Sequence, residues 1–135
     1  MFQATAGLAG VYRATAYVVR LARRDVVLRV GAPPPPLPWG GFRQACFVTA
    51  CNPASRPRPD ASNRRAARRL ERALCRRGLR AVPSVARGDA GDWPPEYGLL
   101  VFGLSRRSAA ALGRAMRQNA ILQVGRRAVE LVPLA

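Results

Sequence analysis

The stretch CFVTACNPASRPRPDASNRRAARRLERAL, residues 46–74, decides the fold. It begins within an apolar segment, residues 43–50, that lacks polar alternation and therefore predicts a strand covered on both faces. Asn52-Pro53 ends that strand, because proline cannot donate to a β-ladder. A loop rich in proline then separates the strand from a strongly basic segment.

The basic segment predicts an amphipathic helix over residues 60–78. Asp60 or Ser62 is suited to cap its start, and Gly78 is suited to end it. Between these points, apolar residues recur at helical spacing at Ala66, Ala67, Leu70, Ala73 and Leu74. Most arginines fall outside this stripe, so we expect the helix to bury one face and present the other to solvent.

The segments that follow this helix predict three more strands and a second helix, in an order that is typical of one kind of fold. Residues 80–87 predict a short strand, which Pro83 assigns to a sheet edge because proline removes a ladder donor. Residues 97–104 predict a second buried strand, a helix follows from Ser105, and AILQVG predicts another strand. From residue 43 onward, the order strand, helix, strand, strand, helix, strand predicts an α+β fold with a ferredoxin-like split βαβ core and an antiparallel sheet.

Segments outside this core predict additions to the sheet. VYRATAYVV (11–19) and DVVLRVG (25–31) predict an N-terminal β-hairpin. AVELVPL predicts an extra C-terminal strand that follows a turn at Gly125-Arg126. Between the hairpin and the core, APPPPLPWGG predicts a stiff polyproline-type connector.

The chain length of 135 residues predicts one domain with its own core. We expect this domain to span 1–135, with the hairpin and proline-rich loop at 1–42 and the α+β core at 43–135. No segment is long and apolar enough to cross a bilayer, and the N-terminus is a poor match to a secretory signal. A cytoplasmic protein is therefore expected, and the sequence indicates no particular cofactor.

Three cysteines and the absence of histidine limit the kinds of metal site, disulfide and catalytic nucleophile that the chain can form. There is no CxxC pair, so neither a disulfide framework nor a zinc site has its parts, and no metal site is predicted. Ser/His and Cys/His nucleophilic arrangements are also excluded. Apolar neighbours predict that Cys46 and Cys75 are buried and unreactive, whereas Cys51 lies at a strand end.

The formal charge of +16 supports one functional hypothesis. All 23 basic residues are arginine, a composition that fits a coding bias as well as a phosphate-binding surface. The alternative function is therefore a non-enzymatic nucleic-acid or ribonucleoprotein accessory that uses the helix at 60–78. Its contacts would be Arg64, Arg65, Arg68, Arg69, Arg72 and Arg76, unless these residues form only a solvated helix face.

The predicted topology supports a second hypothesis, which we favour. In this topology the end of the first strand, the start of the first helix, the turn between the next two strands and the end of the second helix share one rim of the sheet. The polar residues at these four places are Thr49, Asn52, Asn63, Asp92, Trp93, Glu96, Gln118 and Asn119. Their convergence predicts a site for a polar or anionic small molecule or a nucleotide. Glu96 would be its acid/base or metal-binding group if a reaction occurs.

These residues also have ordinary structural interpretations. Asn52 would cap a turn, and Asn63 would satisfy free helix amides instead of helping them to hold an anion. Asn119 would end a helix in the left-handed conformation. Asp89 and Glu96, with their acidic neighbours, would neutralise nearby arginines. The sequence leaves both sets of interpretations open.

A spaced series of motifs resembles a known family. The motifs are FVTACNPASRP, Asn63 followed by Arg64 and Arg65, then GDWPPE, LLVFGLS and RQNAIL, with Tyr12, Thr15, Tyr17 and LRVG nearer the N-terminus. They are similar to the series in a family of short bacterial proteins known as domain of unknown function 3293. The likeness covers nearly the whole chain, and it implies no particular activity.

Overall fold

The computed structural model describes residues 5–91 and 93–134, which form three helices and seven strands. The helices are α1 (Thr5–Arg13), α2 (Asp60–Arg76) and α3 (Arg106–Ala115). The strands are β1 (Thr15–Arg20), β2 (Asp25–Leu28), β3 (Gln44–Thr49), β4 (Arg80–Gly88), β5 (Glu96–Phe102), β6 (Ala120–Gly125) and β7 (Val129–Pro133). None of the three described helices has the length and apolar character that a membrane span requires.

The seven strands form one antiparallel sheet in the order β2-β1-β4-β5-β3-β6-β7. The predicted α+β class is confirmed. The two continuous apolar segments, β3 and β5, pair with each other and have a strand on either side. Their position explains why neither shows polar alternation, since both faces of each strand are covered.

The prediction that β4 lies at a sheet edge is wrong, because the N-terminal hairpin adds β1 to its outer side. The ladder between β1 and β4 ends at the pair Val19 and Ser84, one residue before Pro83. Pro83 is therefore paired with Leu99 of β5 but has no ladder partner in β1, so its missing amide removes no bond to β1.

The predicted first strand is also wrong at its start. Residues 11–13 belong to helix α1, and β1 begins only at Thr15. The ring of Tyr12 stacks on that of Tyr17 with centroids 6.4 Å apart, so α1 is held against the sheet by a contact outside the helix itself. Tertiary packing here overrides the β preference of Val11 and Tyr12.

Helix α2 begins differently from the prediction. Pro59 occupies the cap position without a side-chain hydrogen bond, and Asp60 lies in the first turn, where it pairs with Arg64 at 2.8 Å. Its end is as predicted, because Gly78 has a φ of +71° and the Leu79 amide returns to the Leu74 carbonyl.

Cysteine burial follows the prediction at one of two positions. Cys46 is fully buried between β5 and β6, and burial raises the pKa of its thiol to about 12. Cys75 is exposed, so that prediction is wrong. Its neighbour Leu74 points into the core, and one residue along a helix rotates the side chain by about 100°, which turns Cys75 toward solvent.

The sheet has two differently covered faces. Helices α2 and α3 pack on one face, where the buried cluster includes Cys46, Leu74 and Ile121. The other face is concave and lined by a second cluster that includes Tyr17, Leu28 and Val129. The sheet curls until the Gly31 amide, just after β2, donates to the Val129 carbonyl of β7 at 2.9 Å. The concave face is thereby enclosed as a second core.

The proline-rich loop closes one end of the concave face. Leu37 is buried there, and the ring of Trp39 meets that of Phe102 edge to face at 5.7 Å. Phe102 ends β5, whereas Glu96 begins it. The opposite end of the curl, where β5 begins and β3 finishes, is therefore left for the functional site.

Candidate functional site

A cavity of about 700 Å³ opens at this end of the curled sheet. Its floor is the concave face, and α1 lies along one side of it. The segments that surround its mouth are the loop after β3, the turn between β4 and β5, and the segment between α3 and β6. We call this space the rim cavity. Its size is in the range of small-molecule sites, about 300–1,000 Å³.

An aromatic floor gives the rim cavity its apolar part. The rings of Tyr17 and Phe47 meet edge to face at 5.0 Å, and the ring of Tyr12 stacks on that of Tyr17. Burial, and after it the charge of Glu96, raises the pKa of Tyr12 above its ordinary value, and burial likewise raises the pKa of Tyr17. Both phenols are therefore neutral at physiological pH.

The floor depends on a glycine in β5. A Cβ atom at Gly98 would lie 2.6 Å from Cζ of Phe47 and 2.6 Å from the carbonyl oxygen of Val48. Neither distance is possible for a real side chain. The missing side chain at Gly98 therefore leaves room for the Phe47 ring, which lines the cavity.

Asn52 is the centre of the polar side of the rim cavity. It is 6% exposed and has a left-handed backbone conformation, with φ 46° and ψ 60°. Its Oδ1 accepts from the Arg58 amide and from Asn63 Nδ2, each at 2.9 Å, and its own amide donates to Asn63 Oδ1 at 3.0 Å. These bonds hold the loop after β3 in one conformation and fix the direction of the Asn52 side chain.

Glu96 receives the remaining donor of Asn52. Asn52 Nδ2 donates to Oε2 of Glu96 at 2.7 Å, and Trp93 Nε1 donates to the same oxygen at 3.0 Å. Within residues 5–91 and 93–134, no hydrogen bond reaches Oε1, and Glu96 belongs to no ion pair. The carboxylate is thus oriented by two neutral donors and keeps one oxygen for another partner.

The end of α3 supports the loop that follows β3. Gln118 Nε2 donates to the carbonyl of Cys51 at 3.0 Å, and Asn119 Nδ2 donates to Ser55 Oγ. The Ala54 amide donates to the Arg117 carbonyl at 2.7 Å. Four non-glycine residues here, Asn52, Ala54, Ser55 and Arg117, have positive φ angles. Such strain persists only where surrounding contacts determine the conformation, which is common at ligand sites.

Thr49 lies at the edge of the cavity and also stabilises the turn. Its Oγ1 donates to the Tyr97 carbonyl at 2.8 Å and accepts from the Cys51 amide at 3.0 Å. Cys51 is buried, and burial raises the pKa of its thiol. The thiol is therefore a poor nucleophile despite its closeness to the site.

Asp89 also lines the cavity, but its charge is already compensated. Both of its carboxylate oxygens accept from the guanidinium of Arg29, at 2.8 and 2.9 Å. The hydrogen bond from Arg29 lowers the pKa of Asp89. Asp89 therefore lines the cavity as one half of an ion pair. Among the described residues, no three His, Cys, Asp or Glu side chains are grouped in a way that could hold a metal ion.

The charge of the rim cavity is opposite to that of the protein. The chain carries +16, yet the described residues that line the cavity include Asp89 and Glu96 and no arginine. Because Arg29 neutralises Asp89, Glu96 determines the local charge. The interior is thus weakly acidic and aromatic within a strongly basic protein.

A family model of proteins of unknown function, DUF3293, matches residues 48–121. The chain belongs to the DUF3293 family. No curated protein and no solved structure matches it. The DUF3293 match runs from the end of β3 to the start of β6, so it contains the whole polar side of the rim cavity, including Asn52, Glu96 and Gln118. Tyr12, Tyr17 and Phe47 lie outside the matched segment.

In this DUF3293 chain the predicted site residues have two kinds of position. Thr49, Asn52, Trp93, Glu96 and Gln118 line the rim cavity. Asn63 and Asn119 lie behind them and hold the loop after β3. Asp92 is outside the described residues.

The sequence interpretation missed the aromatic floor and α1. The N-terminal hairpin could not be placed against the core from local patterns, so nothing indicated that Tyr12 and Tyr17 would meet Phe47. The sequence pattern offers Asn119 as a left-handed helix end, but Arg117 has that conformation, with φ 55°. Asn52 does cap a turn, because its Oδ1 accepts from the Arg58 amide. Its Nδ2 also donates to Glu96.

The arginine-rich helix forms a separate surface. Its six named arginines, Arg64, Arg65, Arg68, Arg69, Arg72 and Arg76, are all exposed. Asp60 pairs with Arg64, and no other ion pair involves these arginines within the part of the chain that the structure describes. The helix is therefore a basic face that points away from the rim cavity, since α2 packs on the other side of the sheet.

Proposed function

We propose that the rim cavity binds a small polar molecule. The observation that carries this proposal is the meeting of Asn52, Glu96 and Gln118 above an aromatic floor in one cavity of about 700 Å³. An apolar floor with a few fixed polar groups is the usual construction of a ligand site, because the floor supplies affinity and the polar groups supply orientation.

The hydrogen bonds behind the cavity support this proposal. Asn63 fixes Asn52, which with Trp93 fixes Glu96, while Gln118 is anchored by the carbonyls of Cys51 and Met116. Groups that are already held in place lose little conformational entropy when a ligand arrives. This fixed geometry supports binding as the role of the cavity. If a proton transfer also takes place there, Glu96 is the carboxylate that would carry it out.

The position of the site is also consistent with a finer description of the fold. We propose that β3, α2, β4, β5, α3 and β6 form a ferredoxin-like split βαβ unit, which the antiparallel order β4-β5-β3-β6 supports. In such a unit the loops that surround the rim cavity share one end of the sheet.

The charge of the lining bears on the earlier expectation of a polar or anionic molecule or a nucleotide. The lining residues that the structure describes include two carboxylates and no arginine, so a phosphate group inside the cavity would meet repulsion from Glu96 without a compensating cation among them. A polar molecule without an anionic group is therefore favoured.

A blocking variant tests the proposal. A Cβ atom at Gly88, which lines the cavity, would meet nothing within 4 Å, so Gly88→Phe can place a ring there. Gly125→Phe makes the same change at the far end of β6, outside the cavity. A thermal-shift screen of amines, sugars, nucleotides and phosphorylated metabolites would supply the ligand, since a compound at about 100 times its Kd stabilises by roughly 2.7 kcal/mol.

The expected result separates the two variants. A compound that raises the Tm of the unmodified chain should do the same for Gly125→Phe and should lose most of its effect on Gly88→Phe. Equal shifts in both variants would place binding elsewhere and contradict the proposal.

A second candidate function rests on the six exposed arginines of α2. We propose as the alternative that this face binds nucleic acid through phosphates without reading sequence, because the helix carries few compensating carboxylates. Binding of mixed RNA and DNA should weaken steeply with salt, whereas binding in the rim cavity should not.

Charge-matched variants test the alternative. Arg68→Gln with Arg72→Gln removes two charges from α2, and Arg107→Gln with Arg114→Gln removes two exposed charges from α3. If α2 is the surface, only the first pair should reduce both the affinity and the slope of its salt dependence. Equal losses in both pairs would indicate general attraction to a basic protein instead of a defined interface.

A further inference from the structure

We infer that the ligand of the rim cavity is a compact organic cation: a protonated amine carried on an apolar or aromatic body. This inference rests on the proposed function and names its ligand class. The amine would donate to Oε1 of Glu96, and its apolar body would lie on the floor formed by Tyr17 and Phe47.

The first argument is the state of Glu96. Its charge is met by Asn52 and Trp93, which are neutral donors, and both of them bond to Oε2. A partly buried carboxylate without a cation has lost solvation that neutral hydrogen bonds restore only in part. The other carboxylate among the described lining residues is different, because Arg29 already holds Asp89 in a bidentate pair. Glu96 is therefore the group at which an incoming cation gains most.

The second argument is the distribution of arginine. The chain has 23 basic residues, all arginine, and the described lining of the cavity includes none. At the opposite end of the curled sheet, two arginines lie over aromatic rings. Arg80 is 5.0 Å from the ring centre of Phe102, and Arg126 is 5.2 Å from that of Trp39. The aromatic rings at that end are therefore already in contact with arginine side chains of the protein itself. Within the described residues, no such contact involves Tyr17 or Phe47 at the cavity end.

The third argument is the combination of ring and carboxylate in one cavity. Aromatic faces attract cations through their quadrupole, and this attraction grows when water is excluded. Tyr17 and Phe47 form a dense aromatic pair on the floor, and Glu96 lies at the polar side of the same space. A neutral polar ligand could form hydrogen bonds in the site but would gain no attraction from the charge of Glu96. An anion would be opposed by the charge.

Three probes of nearly equal shape test the ligand class. They are 2-phenylethylamine as the cation, 2-phenylethanol as the neutral form and phenylacetate as the anion. Their Kd values for the full chain would be measured by NMR titration at neutral pH. We expect the amine to bind at least about tenfold more tightly than the alcohol, which corresponds to about 1.4 kcal/mol, and the anion to bind most weakly.

The Glu96→Gln variant assigns the preference to its residue. Glutamine keeps the shape and an oxygen acceptor, so the alcohol should bind as before while the advantage of the amine falls to less than about threefold, or about 0.7 kcal/mol. Glu71→Gln, which removes an exposed carboxylate on α2, is the matched control and should keep the full preference.

The outcomes separate the ligand class from the proposed function. Equal binding of amine and alcohol, tighter binding of phenylacetate, or an amine preference that survives Glu96→Gln would overturn the cation inference while leaving a binding cavity. Failure of all three probes to bind at millimolar concentration would overturn the cation inference, whereas the binding function would fall only if the thermal-shift screen also found no ligand.

Discussion

Asn63 holds Asn52 by two hydrogen bonds of opposite direction: its Oδ1 accepts from the Asn52 amide at 3.0 Å, and its Nδ2 donates to Asn52 Oδ1 at 2.9 Å. A residue in the first turn of α2 therefore sets the conformation of the loop that ends β3. Because Asn52 in turn donates to Glu96, the geometry of the cavity's carboxylate depends on a side chain outside the cavity.

Asn63→Ala should destabilise the protein by about 1–3 kcal/mol, because it leaves the buried amide and Oδ1 of Asn52 without one partner each. Ser62→Ala, one residue earlier on the same helix, should change stability by less than about 0.5 kcal/mol. Urea unfolding of both variants measures the difference. Similar values for the two would show that the pair contributes nothing beyond an ordinary helix position.

Gly98→Ala should cost about 1–3 kcal/mol in unfolding free energy, because the added Cβ would lie 2.6 Å from both the Phe47 ring and the Val48 carbonyl. The backbone oxygen cannot move aside as a flexible side chain would. The control is Gly88→Ala in the neighbouring strand, where the new methyl group meets nothing within 4 Å. Thermal or urea unfolding that ranks Gly88→Ala as the more harmful change would contradict this account of the floor.

Thiol labelling of the folded protein should modify one cysteine quickly and two slowly. Cys75 is exposed, whereas Cys46 and Cys51 are buried and their thiol pKa values are raised by burial. Raising the pH to about 9, near the ordinary cysteine value, should not recruit Cys46, whose pKa is about 12. Cys75→Ser should abolish the fast phase, and a fast phase that persists in this variant would disprove the assignment.

The ion pair between Arg29 and Asp89 should make the free energy of unfolding depend on pH in the acidic range. The hydrogen bond from Arg29 lowers the pKa of Asp89 below the ordinary value of 3.8, so the folded state holds this carboxylate charged more strongly than the unfolded state does. The contribution is therefore present above about pH 4 and is lost as the pH falls through the lowered value. It should be small, because both side chains are about half exposed.

Asp89→Asn and Arg29→Gln each remove this pair. In both variants the stability deficit measured by urea unfolding at neutral pH should shrink as the pH is lowered below about 4. A deficit that stays constant down to pH 2 would mean that the residues act through packing and not through charge.

The polar side of the site was predictable because it depends on chain order. Once β3, α2, β5 and α3 are assigned, the ends that carry Asn52, Asn63, Glu96 and Gln118 must share a rim, and the structure brings these side chains together. Local patterns also sufficed for the cap at Ser105, whose Oγ accepts from the Ser108 amide.

The aromatic side was not predictable because it depends on packing between distant segments. The local sequence around Tyr12 favours a strand, yet the structure has a helix there, which contacts Tyr17 of β1 beside the cavity. Pro83 misled for a related reason. A proline identifies a missing donor at one residue, and the structure shows a long interior strand whose ladder with β1 ends at Ser84, one residue from Pro83.

The hydrogen bond from Gly31 to Val129 joins the hairpin near one end of the chain to the last strand near the other. Joining such distant segments before the intervening chain is ordered would be entropically unfavourable, so closure of the curl belongs late in folding. The rim cavity needs this curl, because its floor takes residues from β1, β3 and β6 together. A molecule bound in it would therefore report completion of the native state, and partly folded chains would not retain it.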